Sequence, residues 1–215
     1  MTALKNWKIM PKELFAMGPI VPVLVINKVE DALPIAEALL AADIKVLEVT
    51  LRTPSALDVI STIAKELPEA IVGSGTVTNR QQLQQSIDAG AKFAISPGLT
   101  KDLLQAGNEC DIALIPGISS ISELMDASDY GYDHLKFFPA EASGGVNAIK
   151  SIGGPFPDIK FCPTGGINVN NVRDYLALSN VSCCGGSWLV PNSAVENKNW
   201  SEITKLAKEA IKLVK

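Results

Sequence analysis

Short apolar runs alternate with amphipathic segments along most of the chain. Eight runs rich in Val, Ile and Phe lack polar alternation, as expected of strands covered on both faces. They span residues 19–26, 45–51, 70–76, 92–98, 112–117, 134–139, 159–166 and 181–190. Between them apolar residues recur at helical spacing, for example Ile35, Leu39 and Leu40 within residues 29–43. The pattern therefore predicts repeated strand–helix units with parallel strands.

Eight such units predict a closed (β/α)8 barrel, or TIM barrel. Equivalent strand positions lie roughly 20–26 residues apart, the length of one compact strand–helix unit. Residues 1–18 are expected to form a helix that caps the bottom of the barrel, and residues 1–215 to form a single domain. The alternative is an open doubly wound sheet. A dinucleotide site is disfavoured, because no Gly-x-Gly-x-x-Gly follows the first strand.

Composition narrows the possible partners and the compartment. A net charge of −4 without a basic stripe argues against nucleic acid as a partner. No apolar run approaches the ~20 residues of a membrane span, and the N-terminus lacks a signal-peptide pattern. The cysteines match no CxxC pattern, which favours reduced thiols in the cytoplasm; they are Cys110, Cys162, Cys183 and Cys184. The single histidine, His134, disfavours a His-based metal site.

Charged and polar residues near the predicted strand ends are the first candidates for chemistry, since barrel active sites form at the carboxyl edge. On the second strand Glu48, Thr50 and Arg52 share one side-chain direction, and on the sixth strand Lys136 and Phe138 do the same. This parity predicts that a carboxylate and an amine face one cavity.

Two interpretations of Lys136 and Glu48 are compatible with that placement. They could form a structural ion pair, although desolvation makes such pairs weak stabilisers. Alternatively, Lys136 could be a Schiff-base nucleophile, because the neighbouring Phe137 and Phe138 would desolvate the amine and favour its neutral form.

Glycine pairs follow the seventh and eighth strands, in Thr164-Gly165-Gly166 and Gly185-Gly186-Ser187. Barrels often bind phosphate at this place through backbone N–H groups and a helix N-terminus, and glycine lets the backbone approach an anion closely. The alternative is that both segments are ordinary turns between strand and helix.

Arg52 and Thr76 are candidate ligands of a substrate carboxylate. The guanidinium could bind it bidentately, and the hydroxyl could donate a hydrogen bond. The alternatives are a surface arginine and a helix N-cap, respectively. Glu141 has a weaker claim, because it could simply cap or pair near its loop.

Seven motifs in order resemble a known family: VLEVTLRT, GSGTV, FAISPGLT, LIPGIS, LKFFPAEA, FCPTGGI and GGSWLVP. They are similar to the 2-keto-3-deoxy-6-phosphogluconate (KDPG) aldolases, which also act on 4-hydroxy-2-oxoglutarate (KHG). The resemblance extends from about residue 5 to the C-terminal helix. It implies a class I aldolase, a carbon–carbon lyase on a (β/α)8 barrel that needs no metal or other cofactor. It further implies a cytoplasmic homotrimer of the Entner-Doudoroff pathway.

The same resemblance implies a small-molecule substrate and a role for each motif residue. KDPG would be cleaved to pyruvate and glyceraldehyde 3-phosphate, and KHG to pyruvate and glyoxylate. Lys136 would form the Schiff base and Glu48 would act as general acid and base. The implied substrate-binding residues are Arg52, Thr76, Pro97, Phe138, Thr164, Gly165, Gly166, Gly185 and Ser187. Arg52 and Thr76 would hold the pyruvate carboxylate, and the glycines with Ser187 the phosphate.

The departures from the family pattern leave the implied catalytic groups in place: Ser74, Ser143 and Asn168 stand where Ala, Asn and Ser are common. Three other functions stay open. One is an aldolase for the galactonate epimer, on which Thr164 bears. Another is a barrel that binds a sugar phosphate without turnover, since one fold hosts many functions. The third is a metal-dependent class II aldolase, which the single histidine disfavours.

Overall fold

Parallel strands form the core of the protein in this computed structural model, which describes residues 6–214. The strands are Ile20–Leu24 (β1), Val46–Thr50 (β2), Ile71–Gly75 (β3), Phe93–Ile95 (β4), Ala113–Ile115 (β5), Gly117–Ile118 (β6), His134–Phe137 (β7), Lys160–Pro163 (β8) and Cys184–Gly186 (β9). Every strand pairing in this range is parallel, as predicted from the alternating pattern.

Helices follow most of the strands. They are Pro11–Ala16 (α1), Ala32–Leu40 (α2), Ala56–Glu66 (α3), Arg80–Asp88 (α4), Lys101–Glu109 (α5), Ile121–Asp129 (α6), Gly145–Ile152 (α7), Val172–Leu176 (α8), Asn192–Glu196 (α9) and Trp200–Val214 (α10). A short 3-10 helix, Val29–Asp31, precedes α2. None of the helices in residues 6–214 is long and apolar enough to cross a membrane.

The strands are organised in two sheets. The larger has the order β5-β4-β3-β2-β1-β9 and the smaller has the order β6-β7-β8. Strands that are neighbours in the larger sheet follow one another in the chain, except that the first strand, β1, lies beside the last, β9. Isolated parallel bridges, Phe161 to Val181 and Thr164 to Gly185, connect the smaller sheet to the segment of β9. The fold is thus an α/β fold with a curled parallel sheet.

The fifth predicted strand, residues 112–117, is interrupted. Pro116 separates β5 from β6, because proline has no N–H with which to continue the hydrogen-bond ladder. Its carbonyl still accepts a hydrogen bond from the backbone N–H of Lys136, at 2.9 Å. The chain therefore passes from one sheet to the other at this proline.

Burial explains why these segments are strands and helices. All five residues of β2 are buried, since one face meets the interior of the curled sheet and the other meets helices. On α3, Val59, Ile60 and Ile63 pack toward β2 and β3 at helical spacing. Each such side chain stabilises the folded state by about 1.5–3 kcal/mol when it is fully removed from water.

The N-terminal helix is much shorter than predicted. Helix α1 spans only Pro11–Ala16, residues 6–10 approach it without helical structure, and residues 1–5 lie outside the described range. Proline is well suited to the first helical position, where no N–H is needed. The ring of Phe15 packs edge-on against His134, at 5.4 Å between centroids. Helix α1 thus covers the start of β7, which is the end of the strand farthest from Phe137.

Candidate active site

A cavity of about 320 Å³ opens where the carboxyl ends of the strands meet. The catalytic and substrate-binding residues implied by the family resemblance all line it, with the exception of Glu48. Glu141, the weaker candidate, does not line it either. Four further residues line the cavity: Val23, Thr50, Ile167 and Gly186, of which Gly186 belongs to the second glycine pair of the sequence. The arrangement follows from parallel strands, whose carboxyl ends gather at one edge.

Lys136 and Glu48 meet at the base of this cavity. Lys136 Nζ donates a hydrogen bond to Glu48 Oε1 at 3.2 Å, and their side chains are 6% and 1% exposed. The Nζ atom also lies 5.3 Å from the centroid of the Phe138 ring. Burial of this pair costs solvation that its attraction does not readily repay. The pair therefore gains little stability from its burial.

Gly75 makes the space in which the Glu48 carboxylate sits. A Cβ atom added at Gly75 would overlap Oε1 of Glu48 and come within 2.7 Å of its Cγ. Two residues earlier on β3, a Cβ on Gly73 would meet the Phe93 ring at 2.6 Å. The spacing of these glycines is the only signal in the sequence that another group approaches β3 closely.

Thr50 orients Arg52 at the mouth of the cavity. The buried Thr50 Oγ1 donates to the carbonyl of Leu24 at 2.8 Å and accepts a hydrogen bond from Arg52 Nε at 3.2 Å. This leaves the two Nη groups of Arg52 for a ligand. The sequence predicted that Thr50 points toward the cavity, but it could not reveal the contact with Leu24 on the neighbouring strand.

Thr76 lies on the cavity wall with a φ of 61°. The left-handed region is unfavourable for a β-branched residue, and such strain is found mainly at functional sites. The alternative that Thr76 caps the next helix is wrong, because the cap of α4 is Asn79, whose side chain accepts a hydrogen bond from the Gln82 N–H. Pro97, at the end of the β4 segment, lines the same cavity.

Thr164, Gly165 and Gly166 form the opposite wall. Gly165 and Gly166 have φ values of 100° and 83°, which side chains rarely tolerate. Thr164 Oγ1 is buried without a hydrogen-bond partner among the described residues, and a Cβ on Gly185 would come within 3.1 Å of Thr164 Cβ. An unpaired buried hydroxyl is costly unless a ligand satisfies it.

The helix N-terminus expected beside these glycines is not adjacent to them. Helix α8 begins at Val172 and α9 begins at Asn192, each several residues beyond its strand, and both are short. Ser187 is exposed at the cavity rim. Any anion in this part of the cavity would therefore meet loop N–H groups and the Ser187 hydroxyl.

Three of the four cysteines belong to the buried core. All four are free thiols, and Cys162, Cys183 and Cys184 are buried, as is usual for free cysteines that pack in a core. Burial, reinforced by the nearby Cys162, raises the pKa of the Cys183 thiol, and burial likewise raises that of Cys184. Across residues 6–214, no group of three or more His, Cys, Asp or Glu side chains is arranged to hold a metal ion.

Comparison with known proteins finds close relatives over nearly the whole chain. The profile of the family described as "Aldolase: KDPG and KHG aldolase" matches residues 12–206. The 2-dehydro-3-deoxy-phosphogluconate aldolase of Pseudoalteromonas atlantica is 65% identical over 207 residues, which cover 96% of each chain. The KHG/KDPG aldolase of Escherichia coli strain K12 is 59% identical, over 97% of this chain and 98% of that protein.

A solved structure of a relative has a very similar fold. KDPG aldolase from Legionella pneumophila, crystallised with pyruvate captured at low pH as a covalent carbinolamine intermediate, superposes with a TM-score of 0.94 at 52% identity. The match covers 95% of this chain and all of that one.

Proposed function

Since this chain belongs to the KDPG and KHG aldolase family, we propose that Lys136 and Glu48 perform aldol cleavage in the cavity at the strand ends. The protein is an aldolase, a carbon–carbon lyase, that cleaves KDPG to pyruvate and glyceraldehyde 3-phosphate. The relatives named KHG/KDPG aldolase support cleavage of KHG to pyruvate and glyoxylate as a second activity. One observation carries the residue assignment: the Lys136 amine is buried 3.2 Å from the Glu48 carboxylate, beside the cavity.

The reaction begins when the neutral Lys136 amine attacks the C2 ketone to give a carbinolamine, which loses water to form a protonated imine. The covalent carbinolamine captured in the Legionella pneumophila relative supports this step. The imine then accepts the electron pair of the C3–C4 bond while Glu48 takes the proton of the C4 hydroxyl, and the aldehyde departs. Return of a proton to C3 and hydrolysis of the imine release pyruvate and regenerate Lys136.

Different residues of the cavity wall bind different parts of the substrate. Arg52 and Thr76 hold the pyruvate carboxylate, with the Arg52 side chain kept in place by Thr50. Pro97 and Phe138 line the pocket for the pyruvyl group. The unpaired Thr164 hydroxyl contacts a substrate hydroxyl and so influences substrate choice.

The phosphate of KDPG lies at the opposite end of the cavity. It is bound by backbone N–H groups around Gly165, Gly166 and Gly185 and by the Ser187 hydroxyl. KDPG and its galactonate epimer differ at the hydroxyl that lies near Thr164 in this placement of the substrate. Comparison of kcat/KM for the two compounds therefore tests the placement. A preference for the epimer would contradict it.

The experiment that tests the mechanism is reductive trapping. Incubation with pyruvate and borohydride, followed by peptide mapping in a mass spectrometer, should add ~72 Da to Lys136 and to no other lysine. Cleavage of KDPG should persist in excess chelator, because no step of the mechanism uses a metal. An adduct on another lysine, or none, would contradict the assignment. A binding barrel without turnover would bind KDPG and release no pyruvate.

Replacement of Gly75 by alanine should lower kcat/KM for KDPG by about 10- to 100-fold, because the new Cβ displaces the Glu48 carboxylate and misplaced groups lose catalysis steeply. Steady-state kinetics measure this effect. Gly98→Ala is the matched control, since a Cβ there meets nothing within 4 Å and should leave activity unchanged. Equal activity of the two variants would show that Glu48 does not need its present position.

We also propose that the two sheets form a closed (β/α)8 barrel in a single domain over residues 1–215, capped by α1. The supporting observations are the β1–β9 pairing, the passage through Pro116, and the bridge from Thr164 to Gly185. A crystal structure in which the β8 and β9 segments stand apart would contradict closure.

The family resemblance supports a cytoplasmic homotrimer of the Entner-Doudoroff pathway, acting without a cofactor on small molecules rather than on nucleic acid or membranes. The free thiols agree with a reducing compartment. A monomer mass in light scattering, or recovery of the protein from a cell-envelope fraction, would contradict this proposal.

A further inference from the structure

The loop of Thr164, Gly165 and Gly166 is held in place from outside the cavity. On one side, the backbone N–H groups of Ala140 and Glu141 donate to the carbonyls of Thr164 and Gly165, at 2.8 and 3.1 Å. The Glu141 side chain also covers the loop, since a Cβ added at Gly166 would come within 2.8 Å of Glu141 Cβ. Glu141 itself does not line the cavity.

Tyr175 fixes the Glu141 side chain in this position. Its ring on α8 is completely buried, and its Oη donates a hydrogen bond to Glu141 Oε1. Burial and the neighbouring Glu141 raise the pKa of Tyr175, so the phenol remains a donor. A Cβ added at Gly145 would lie 3.3 Å from both Glu141 Oε1 and Tyr175 Oη, which places the pair at the start of α7. A buried phenol needs such a partner, and a phenylalanine would fill the same space without one.

Two asparagines hold the loop from its other side. The Nδ2 atoms of Asn168 and Asn171 both donate to the Gly166 carbonyl, at 3.1 and 3.0 Å. The three carbonyl groups of the loop thus all accept hydrogen bonds from groups outside the cavity. The Thr164 N–H donates to the Phe137 carbonyl at 2.9 Å, so the N–H groups of Gly165 and Gly166 are the polar backbone groups of the loop that remain for a ligand.

We propose that the Tyr175–Glu141 hydrogen bond positions this glycine loop for the phosphate of the substrate and thereby sets the preference for phosphorylated over unphosphorylated keto acids. The inference rests on the proposed function and deepens it. Tyr175 and Glu141 are positioning residues, because they act through the glycine loop and do not line the cavity. The pyruvyl end of the site lies on β2 and β7. The β2–β3 ladder holds Glu48, and Lys136 is also paired with Gly117 of β6, on the side of β7 away from the loop.

Three reactions of this protein distinguish a change at the phosphate end of the site from a change at the pyruvyl end. They are cleavage of KDPG, cleavage of KHG, which has no phosphate, and exchange of the pyruvate methyl protons in D2O followed by NMR. In Tyr175→Phe we expect KM for KDPG to rise about fivefold, the effect of one lost hydrogen bond. KHG cleavage and pyruvate exchange should stay within about twofold of the wild type.

Tyr132→Phe is the matched control. Tyr132 is also a buried tyrosine, and its Oη donates to the Leu104 carbonyl at 2.7 Å, away from the cavity. We expect this variant to unfold at lower temperature without a change in the KDPG to KHG ratio of kcat/KM.

Substitutions of Glu141 complete the test without altering the core. Glu141→Gln retains an oxygen that accepts from Tyr175 and should behave like the wild type, whereas Glu141→Ala should behave like Tyr175→Phe. An equal change in all three reactions, or unchanged KM for KDPG in both Tyr175→Phe and Glu141→Ala, would overturn the inference and leave the proposed function standing. Absence of pyruvate exchange in the wild type would contradict the proposed function instead.

Discussion

Replacement of Lys136 by methionine should abolish aldol cleavage, with kcat lowered by at least about 10⁵-fold. Methionine keeps an unbranched chain beside Phe138 but has no amine, so neither the carbinolamine nor the imine can form. Pyruvate release from KDPG measures the loss. The borohydride adduct should disappear from the peptide that contains residue 136.

Loss of activity must be separated from loss of folding, because removal of one partner of a buried ion pair costs about 3–5 kcal/mol. The double substitution Lys136→Met with Glu48→Gln should recover part of that stability in thermal unfolding, yet no activity. Lys160→Met is the control for the chemical change, since Lys160 opens β8 and its Nζ reaches the carbonyl of Ser179, away from the cavity. Turnover by a folded Lys136→Met protein would reduce Lys136 to a structural partner.

Glu48→Gln should lower kcat for KDPG by about 10³-fold, the usual contribution of a general acid and base. The amide cannot take the proton of the C4 hydroxyl or return one to C3, so exchange of the pyruvate methyl protons should fall in parallel. Lys136 remains, so the borohydride adduct with pyruvate should still form. Rapid-quench kinetics and NMR exchange measure the two effects.

Glu66→Gln, at the exposed end of α3, provides the matched control and should leave all rates unchanged. Full pyruvate exchange in Glu48→Gln would mean that another group moves the proton. Loss of the adduct as well would assign Glu48 an earlier role, in carbinolamine formation.

The strand pattern and the parity of Glu48 and Lys136 could be predicted because both follow from local spacing. A strand alternates its side chains strictly, so positions two residues apart share a direction whatever the partners are. At Pro116 the apolar spacing fails to predict the fold. An apolar run continues through it, but its missing N–H ends the ladder and divides one predicted strand into two.

The site residues that sequence reasoning missed depend on register between strands. Gly75 matters because β3 is paired with β2 in a register that sets Glu48 opposite Gly73 and lets its side chain reach Gly75. Thr50 matters because the Leu24 carbonyl is within its reach. Neither neighbour can be inferred from spacing along one strand. The left-handed φ of Thr76 is likewise imposed by the loop around it, since threonine has no intrinsic preference for that conformation.

The pairing of β1 with β9 has a consequence for synthesis of the chain on the ribosome. It joins residues that stand about 160 positions apart, as in Ile20 with Cys184, so β1 is among the first strands made and the last to gain its second neighbour. Until Gly186 has emerged, the nascent chain presents one side of an apolar strand with unpaired N–H and C=O groups. Such an edge invites pairing with other chains. The edge therefore stays open to such pairing while the roughly 160 residues between β1 and the end of β9 are translated.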